Sequence, residues 1–376
     1  MSDVLVGRMV LDDEVVPGRI ELEGERIGRV VPDPAGAGGP LLAPGFVDVH
    51  VHGWGGHDAM GGTDALDGMA RALLARGVTS FLPTAVTAPL ETLHAWADGV
   101  RHWMEGAPPD GAQPLGLGLE GPFLAPSRRG AHEERHLLRP AEVPPALLEP
   151  LVDGLRLVHL APELPGAEEL IGWLVARGVV VSLGHSAATL EQARRGYAAG
   201  ATSTTHLFNA MSGVLHRDPG LAVAALVDDA VSVELIADGN HVDPALWLIV
   251  TRTKPFDRLL LVSDAISLAG TGDGRDTLGA LEVEVRRGRA TLAGTDTLAG
   301  SLIALDTAVR KLVQAGTSLP AAVRAASANP ARLLGLADRG RIAQGLRADL
   351  VALDDELSVV EVLRDGRRMA PRGSIG

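Results

Sequence analysis

Residues 44–53 read Pro44-Gly45-Phe46-Val47-Asp48-Val49-His50-Val51-His52-Gly53. Pro-Gly opens the run and Gly closes it, and between them Asp48, His50 and His52 alternate with three valines. Residues two apart on a strand share a face. The two histidines are therefore expected to point together into an enclosed interior, with Val47, Val49 and Val51 against covering helices. Paired histidines also occur on ordinary strand faces, so the meaning of this run depends on what surrounds it.

Seven further apolar runs follow: Thr79–Val86, Leu115–Phe123, Leu155–Pro162, Val179–His185, Ala201–Phe208, Val231–Asp238 and Leu259–Asp264. They recur at intervals of roughly thirty residues, the length of a strand–helix unit. Helical periodicity fills most of the gaps, as in Ala65–Arg76, Glu168–Arg177 and Leu190–Ala199. Eight such units predict a (β/α)8 TIM-like barrel over residues 44–340. A doubly wound open sheet is the alternative, but it gives no reason for chemistry at so many strand ends. Gly61-Gly62 and Gly270–Gly274 are too irregular for a nucleotide fingerprint and read as flexible loops.

The two ends of the chain resemble each other. Val4–Val10, Arg19–Glu23 and Arg26–Val31 are short β-rich runs, and Pro32–Pro40 reads as a linker. Asp349–Leu353 and Val359–Leu363 are short apolar strands near the other terminus. Neither end carries enough apolar surface for a core of its own. One small β-sandwich domain built from both termini, 1–43 and 341–376, is expected.

The strand ends carry the chemistry. The third run delivers Glu120, the fifth His185, the sixth His206 and the eighth Asp264, while the first carries His50 and His52. Any one of these could be a core histidine or a capping acid. Five strand ends supplying only His, Glu and Asp form a metal site with imidazole and carboxylate ligands, which suit Zn²⁺, Fe²⁺ or Mn²⁺. Six other histidines are not expected to have such partners. His94, His102 and His159 lie in helical or strand patterns, and His57, His136 and His216 lie in loops. All six read as structural or surface residues.

The 376 residues are 46% hydrophobic and 22% charged, which predicts a well-buried globular chain. A formal charge of −13 argues against nucleic acid or an anionic membrane as a general partner. It leaves room for a small anionic substrate held by a local Arg and His cluster. No cysteine is present, so disulfides and thiolate ligands are excluded. No apolar run reaches the ~18 residues of a membrane span, and the first residues lack a signal-peptide pattern, so a cytoplasmic protein is expected.

These motifs together resemble the N-acetylglucosamine-6-phosphate deacetylase family of the amidohydrolase superfamily. The resemblance runs through residues 44–53, Leu119–Phe123, Gly130-Ala131-His132, Gly184-His185-Ser186, Thr205–Met211, Asp238–Val242, Ser263-Asp264-Ala265 and Leu298–Ser301. It implies a metal-dependent hydrolase that removes the acetyl group from N-acetyl-D-glucosamine 6-phosphate, giving D-glucosamine 6-phosphate and acetate. A deacetylase for the galactosamine epimer is the alternative.

It further implies Glu120, His185 and His206 as ligands of the main metal, Asp264 as catalytic acid/base and His132 as the group that polarises the substrate carbonyl. Asn209, Ala210, Arg217 and His241 would hold phosphate. Ala131, His132, Asp238, Gly239, Asn240, Leu298, Ala299 and Gly300 would contact sugar or phosphate. A homodimer is implied, with Arg217 serving the neighbouring subunit's site. Members that keep both strand-one histidines bind two metals, so His50 and His52 permit a second ion bridged by Glu120.

Rival branches fit less well. A carboxylated-lysine centre, as in dihydroorotase-like enzymes, needs a lysine ending the fourth strand, and the only lysines are Lys254 and Lys311. An adenosine-deaminase-like enzyme also opens on His-x-His but is not expected to carry Leu119–Phe123 or His206–Met211. A non-catalytic sugar-phosphate sensor would have lost a ligand or Asp264.

Overall fold

The computed structural model describes residues 4–369. Residues 1–3 and 370–376, which belong to the expected terminal domain, lie outside the described residues. All eight expected barrel strands form. They are Phe46–Val51, Val78–Ala85, Leu117–Glu120, Leu155–Leu160, Val180–Leu183, Ser203–Thr204, Ser232–Leu235 and Leu259–Leu261, each parallel to the next.

The seam between the last strand and the first is closed beyond the ladder. Asp264 N donates to His50 O at 2.9 Å, His52 N donates to Ala265 O at 2.8 Å, and Asp48 Oδ1 accepts from Ser263 N at 3.3 Å. Parallel strands need covering on the outside, and the helices supply it. In Thr63–Leu74 the buried residues are Leu66, Met69, Ala70, Leu73 and Leu74, the stripe of an amphipathic helix. Each large apolar side chain so buried contributes about 1.5–3 kcal/mol. Leu190–Ala198 starts on a capping box, with Thr189 Oγ1 accepting from Gln192 N and Gln192 Oε1 accepting from Thr189 N.

The first strand departs from simple alternation. Its register to the second strand shifts between Phe46 and Val47 and again between Asp48 and Val51. Val51 packs in the large cluster that includes the helix residues Leu66, Met69 and Leu73. Val47 and Val49 belong to a smaller cluster with the strand residues Leu82, Leu157, Leu260 and Val262 and with Ala331 and Leu334 from the end of a C-terminal helix. Val51 thus packs with the helices as expected, while Val47 and Val49 share a cluster with other strands as well as with the helix Ala328–Leu333. An inserted residue shifts the two-residue phase of a strand.

The termini join in one seven-stranded sheet. Its order is Arg367–Met369, Val359–Arg364, Leu350–Leu353, Leu41–Pro44, Val4–Val10, Val15–Glu23 and Arg26–Pro32. The edge strand Arg26–Pro32 also meets the segment that leads into Leu350–Leu353, for Ile27 N donates to Leu346 O and Gly345 N to Ile27 O. The enclosed core is Leu5, Met9, Ile20, Leu22, Ile27, Leu42, Leu350, Ala352 and Leu363, with apolar residues from both ends of the chain.

Residues 270–273 form the expected loop, and a further antiparallel sheet that was not expected, Gly274–Leu278, Leu281–Arg286 and Arg289–Leu292, follows it after the eighth strand. It packs Leu278, Val283 and Val285 against Ala131, Ile266 and Ala299 beside the barrel mouth. Among the described residues no helix is long and apolar enough to cross a membrane.

Candidate metal centre and pocket

The strand ends bring Glu120, His185, His206, Asp264, His50 and His52 to one place, all of them buried. His185, His206 and Asp264 follow their strands by two or three residues and adopt positive φ values of 46°, 22° and 50°. Non-glycine residues avoid that region, and such strain concentrates at functional sites. The close approach of neighbouring strands also dictates Gly184, where a Cβ would sit 1.9 Å from Thr205 Cγ2.

Two sets of ligand atoms share Glu120. In the first, Glu120 Oε1 lies 3.0 Å from His185 Nε2 and 2.9 Å from His206 Nε2, and the two Nε2 atoms are 3.0 Å apart. In the second, His52 Nε2 lies 3.1 Å from Glu120 Oε2 and 3.2 Å from Asp264 Oδ1. His50 Nε2 completes it at 3.5 Å from Glu120 Oε1 and 3.6 Å from Asp264 Oδ1.

The ring orientations are fixed from behind. His185 Nδ1 donates to Arg128 O at 2.8 Å and His52 Nδ1 to Thr84 O at 2.9 Å, which leaves Nε2 lone pairs facing inward. Converging lone pairs repel unless a cation or proton lies between them. Bonds of about 2.1 Å in a tetrahedral site place ligand atoms about 3.4 Å apart; the second set brackets that spacing, and the first, at 2.9–3.0 Å, is tighter but offers the same kinds of donor atom.

The charges suit this reading. Burial alone would raise the Glu120 carboxyl, but His50, His132 and His185 hold it well below the usual carboxylate range. Asp264 behaves similarly: burial opposes ionisation, and the hydrogen bond with His52 and the charge of His50 outweigh it. His132 is pushed down to about 4, chiefly by burial, and is neutral at pH 7. Thr87 N donates to His132 Nδ1 at 3.3 Å, so the proton sits on Nε2, 3.2 Å from Glu120 Oε2. His132 thus presents a neutral N–H to the site.

Above these groups lies a cavity of about 440 Å³. Of the expected substrate residues, Ala131, Asn209, Ala210, His241, Leu298 and Gly300 line it. Asp238 stands behind, holding His241 Nδ1 at 2.8 Å and accepting from the backbone N of Asn240 and His241. Burial would lower His241, but the hydrogen bond and charge of Asp238 raise it, which favours an imidazolium facing the cavity. Gly239 sits in that same turn with φ 77°. Asn240 Nδ2 turns to Gly288 O in the added sheet, and Ala299 is buried under it. Arg217 lies on an exposed loop and is not among the residues lining the cavity.

Sequence reasoning missed several residues here. Arg128, Leu278, Asp296 and Thr297 also line the cavity. His159 was expected to lack relevant partners, but it is fully buried with its ring 4.3 Å from that of His50 and Nε2 3.5 Å from Glu234 Oε1. Its place on the fourth strand, at the register of Glu120 on the third, is the signal that could have found it. Glu234 gives no such signal, because it lies inside the seventh run rather than at its end.

A second cavity of about 490 Å³ lies near the start of the eighth strand. Its arginines are paired, Arg324 with Asp13 at 3.0 Å, Arg332 with Asp257 and Arg341 with Asp12 at 3.7 Å. Among the described residues no set of metal-ligating side chains converges on it.

Comparison with known proteins agrees with this geometry. The Amidohydrolase family matches residues 41–369. The N-acetylglucosamine-6-phosphate deacetylase of Homo sapiens is 43% identical over 374 residues, covering 94% of this chain and 90% of the relative. The N-acetylgalactosamine-6-phosphate deacetylase of Escherichia coli O157:H7 is 39% identical, covering 98% and 99%. A mutant N-acetyl-D-glucosamine-6-phosphate deacetylase from Mycobacterium smegmatis, solved in complex with N-acetyl-D-glucosamine-6-phosphate, superposes with a TM-score of 0.91. It is 38% identical and covers 98% of this chain and 99% of its own.

Proposed function

This chain belongs to the amidohydrolase family, and from that premise we propose that it hydrolyses the acetamide of N-acetyl-D-glucosamine 6-phosphate to D-glucosamine 6-phosphate and acetate. The observation that carries the reading is the convergence of Glu120, His185 and His206 within about 3 Å, with the ionised Asp264 beside them, under a cavity bounded by His241.

Glu120, His185 and His206 hold the main divalent cation, Zn²⁺, Fe²⁺ or Mn²⁺. His50 and His52, with Glu120 and Asp264, hold a second. When bound, such a cation polarises the amide carbonyl and brings the pKa of a water towards neutrality. Asp264 accepts the proton of the attacking water and later passes it to the departing amine. The Nε2–H of His132 donates to the carbonyl oxygen as negative charge develops there.

His241, held by Asp238, contributes positive charge for the phosphate, with Asn209 and Ala210 beside it. Gly239, Asn240, Ala131, Leu298, Ala299 and Gly300 shape the sugar subsite. Arg217 serves the site of a second copy in a homodimer, and its guanidinium matches phosphate oxygens bidentately. Val214 and Leu215 next to it are exposed, as suits a loop that meets a partner. The same reading keeps 1–43 and 341–376 as a small domain apart from the barrel. It places the enzyme in the cytoplasm, because a dianionic substrate does not cross a bilayer unaided.

Acetate release measured alongside metal content tests the reaction. Turnover of the glucosamine substrate is expected, with kcat/KM higher than for the galactosamine epimer. No release from either at full metal occupancy would overturn the function; a reversed preference would transfer it to the epimer.

The pH dependence of cation binding follows from His52. Burial would lower its pKa, but hydrogen bonds with Asp264 and Glu120 and their charges raise it to about 9 in the ion-free protein. A raised folded pKa means the proton on His52 is stabilising below the unfolded value of about 6.5 and is lost as pH rises through 9. A cation competes with that proton. Affinity at the second position is therefore expected to weaken up to about tenfold per pH unit as pH falls below 9. Calorimetric titration with Zn²⁺ at several pH values checks it, and a constant affinity between pH 6 and 9 would refute it.

A further inference from the structure

Glu234, on the seventh strand, has no exposed surface and takes no part in the steps above. Its Oε2 lies 3.1 Å from His50 Nδ1 and accepts from Thr205 Oγ1 at 2.8 Å and His206 N at 3.3 Å. Its Oε1 accepts from Ser182 Oγ at 3.5 Å and faces His159 Nε2. A carboxylate buried away from water is costly unless its lone pairs are met. Here contacts from the first, fourth, fifth and sixth strands meet them.

A carboxylate oxygen only accepts, so Nδ1 of His50 keeps its proton, and Nε2 is the atom left to bind a cation. That Nε2 is buried without a hydrogen-bond partner of its own. It faces Glu120 Oε1 and Asp264 Oδ1 at 3.5 and 3.6 Å, close to the spacing of atoms that share one cation. His52 and His185 are backed by neutral carbonyls, whereas His50 is backed by a charge, which makes its lone pair more basic.

We infer that Glu234 is a positioning residue that locks the tautomer and ring orientation of His50 and thereby creates the second cation position. The inference rests on the two-ion reading above.

The test uses the full chain with Zn²⁺ as probe, counted by mass spectrometry after equilibrium dialysis, with stepwise dissociation constants from chelator competition. Two ions are expected in the wild type. Glu234→Gln is expected to leave the first constant unchanged and weaken the second about 10- to 100-fold. His50→Gln should lose the same ion, and the double variant should be no worse than His50→Gln, because both act through one ring.

An unchanged second constant in Glu234→Gln overturns the inference. So does an equal loss at both positions, which marks a merely structural role. One ion in the wild type defeats the two-ion reading itself, and the inference with it. Should Glu234→Gln fail to fold, Thr205→Val removes the 2.8 Å bond to the carboxylate together with the 3.3 Å contact to His50 Nδ1, and so loosens the same Glu234–His50 arrangement. A weaker second constant is expected there too, and an unchanged one overturns the inference.

Discussion

Asp264→Asn is expected to lower kcat about a thousandfold, within the range of 10²–10⁴ associated with general acid–base groups, while KM stays close to that of the wild type. The substitution keeps shape and volume, so the seam bond from Asp264 N to His50 O is preserved. It removes the one property the reaction needs. A carboxylate held in its ionised form by His52 and His50 can take a proton from water, and an amide cannot. Steady-state kinetics with metal content measured on the same preparation check the result. The first ion, held by Glu120, His185 and His206, should remain. A variant that retains kcat within tenfold of the wild type would remove Asp264 from the chemistry.

Glu120→Ala is expected to have the larger effect, since Glu120 stands between both ligand sets. Its two oxygens approach His185 and His206 on one side and His52 and His132 on the other. Removing it strips each position of a ligand and leaves several imidazoles clustered without their counter-charge. Metal content is expected to fall to a residual level at both positions. Losing several kcal/mol of transition-state stabilisation corresponds to about three to four orders of magnitude in kcat/KM. Excess Zn²⁺ should not restore activity. Two ions per chain with activity within tenfold of the wild type would show that Glu120 does not hold the centre.

Both predictions concern residues legible in the sequence alone, and the reason is local. Strand and helix periodicities are written into neighbouring residues, so eight apolar runs about thirty residues apart already imply a barrel. Active groups in such a barrel come from strand ends, which single out Glu120, His185, His206 and Asp264. The added sheet of Gly274–Leu292 is harder to see. Its strands are short, and residues 275–277 and 286–289 are exposed or nearly so, giving a weak alternation.

The amino-acid sequence by itself determined the strand count, the pairing of both chain ends into one sheet and the kinds of atom offered at the barrel mouth. The tertiary structure decided which of those atoms meet. Barrel closure, through the Asp264–His50 and Ser263–Asp48 bonds, sets the distances among residues 50, 120, 185, 206 and 264, and no pattern along the chain encodes a distance through space. Closure also placed His159 and Glu234 behind His50. A buried charge is justified only by partners from other strands, and those partners come into view only once the strands have packed.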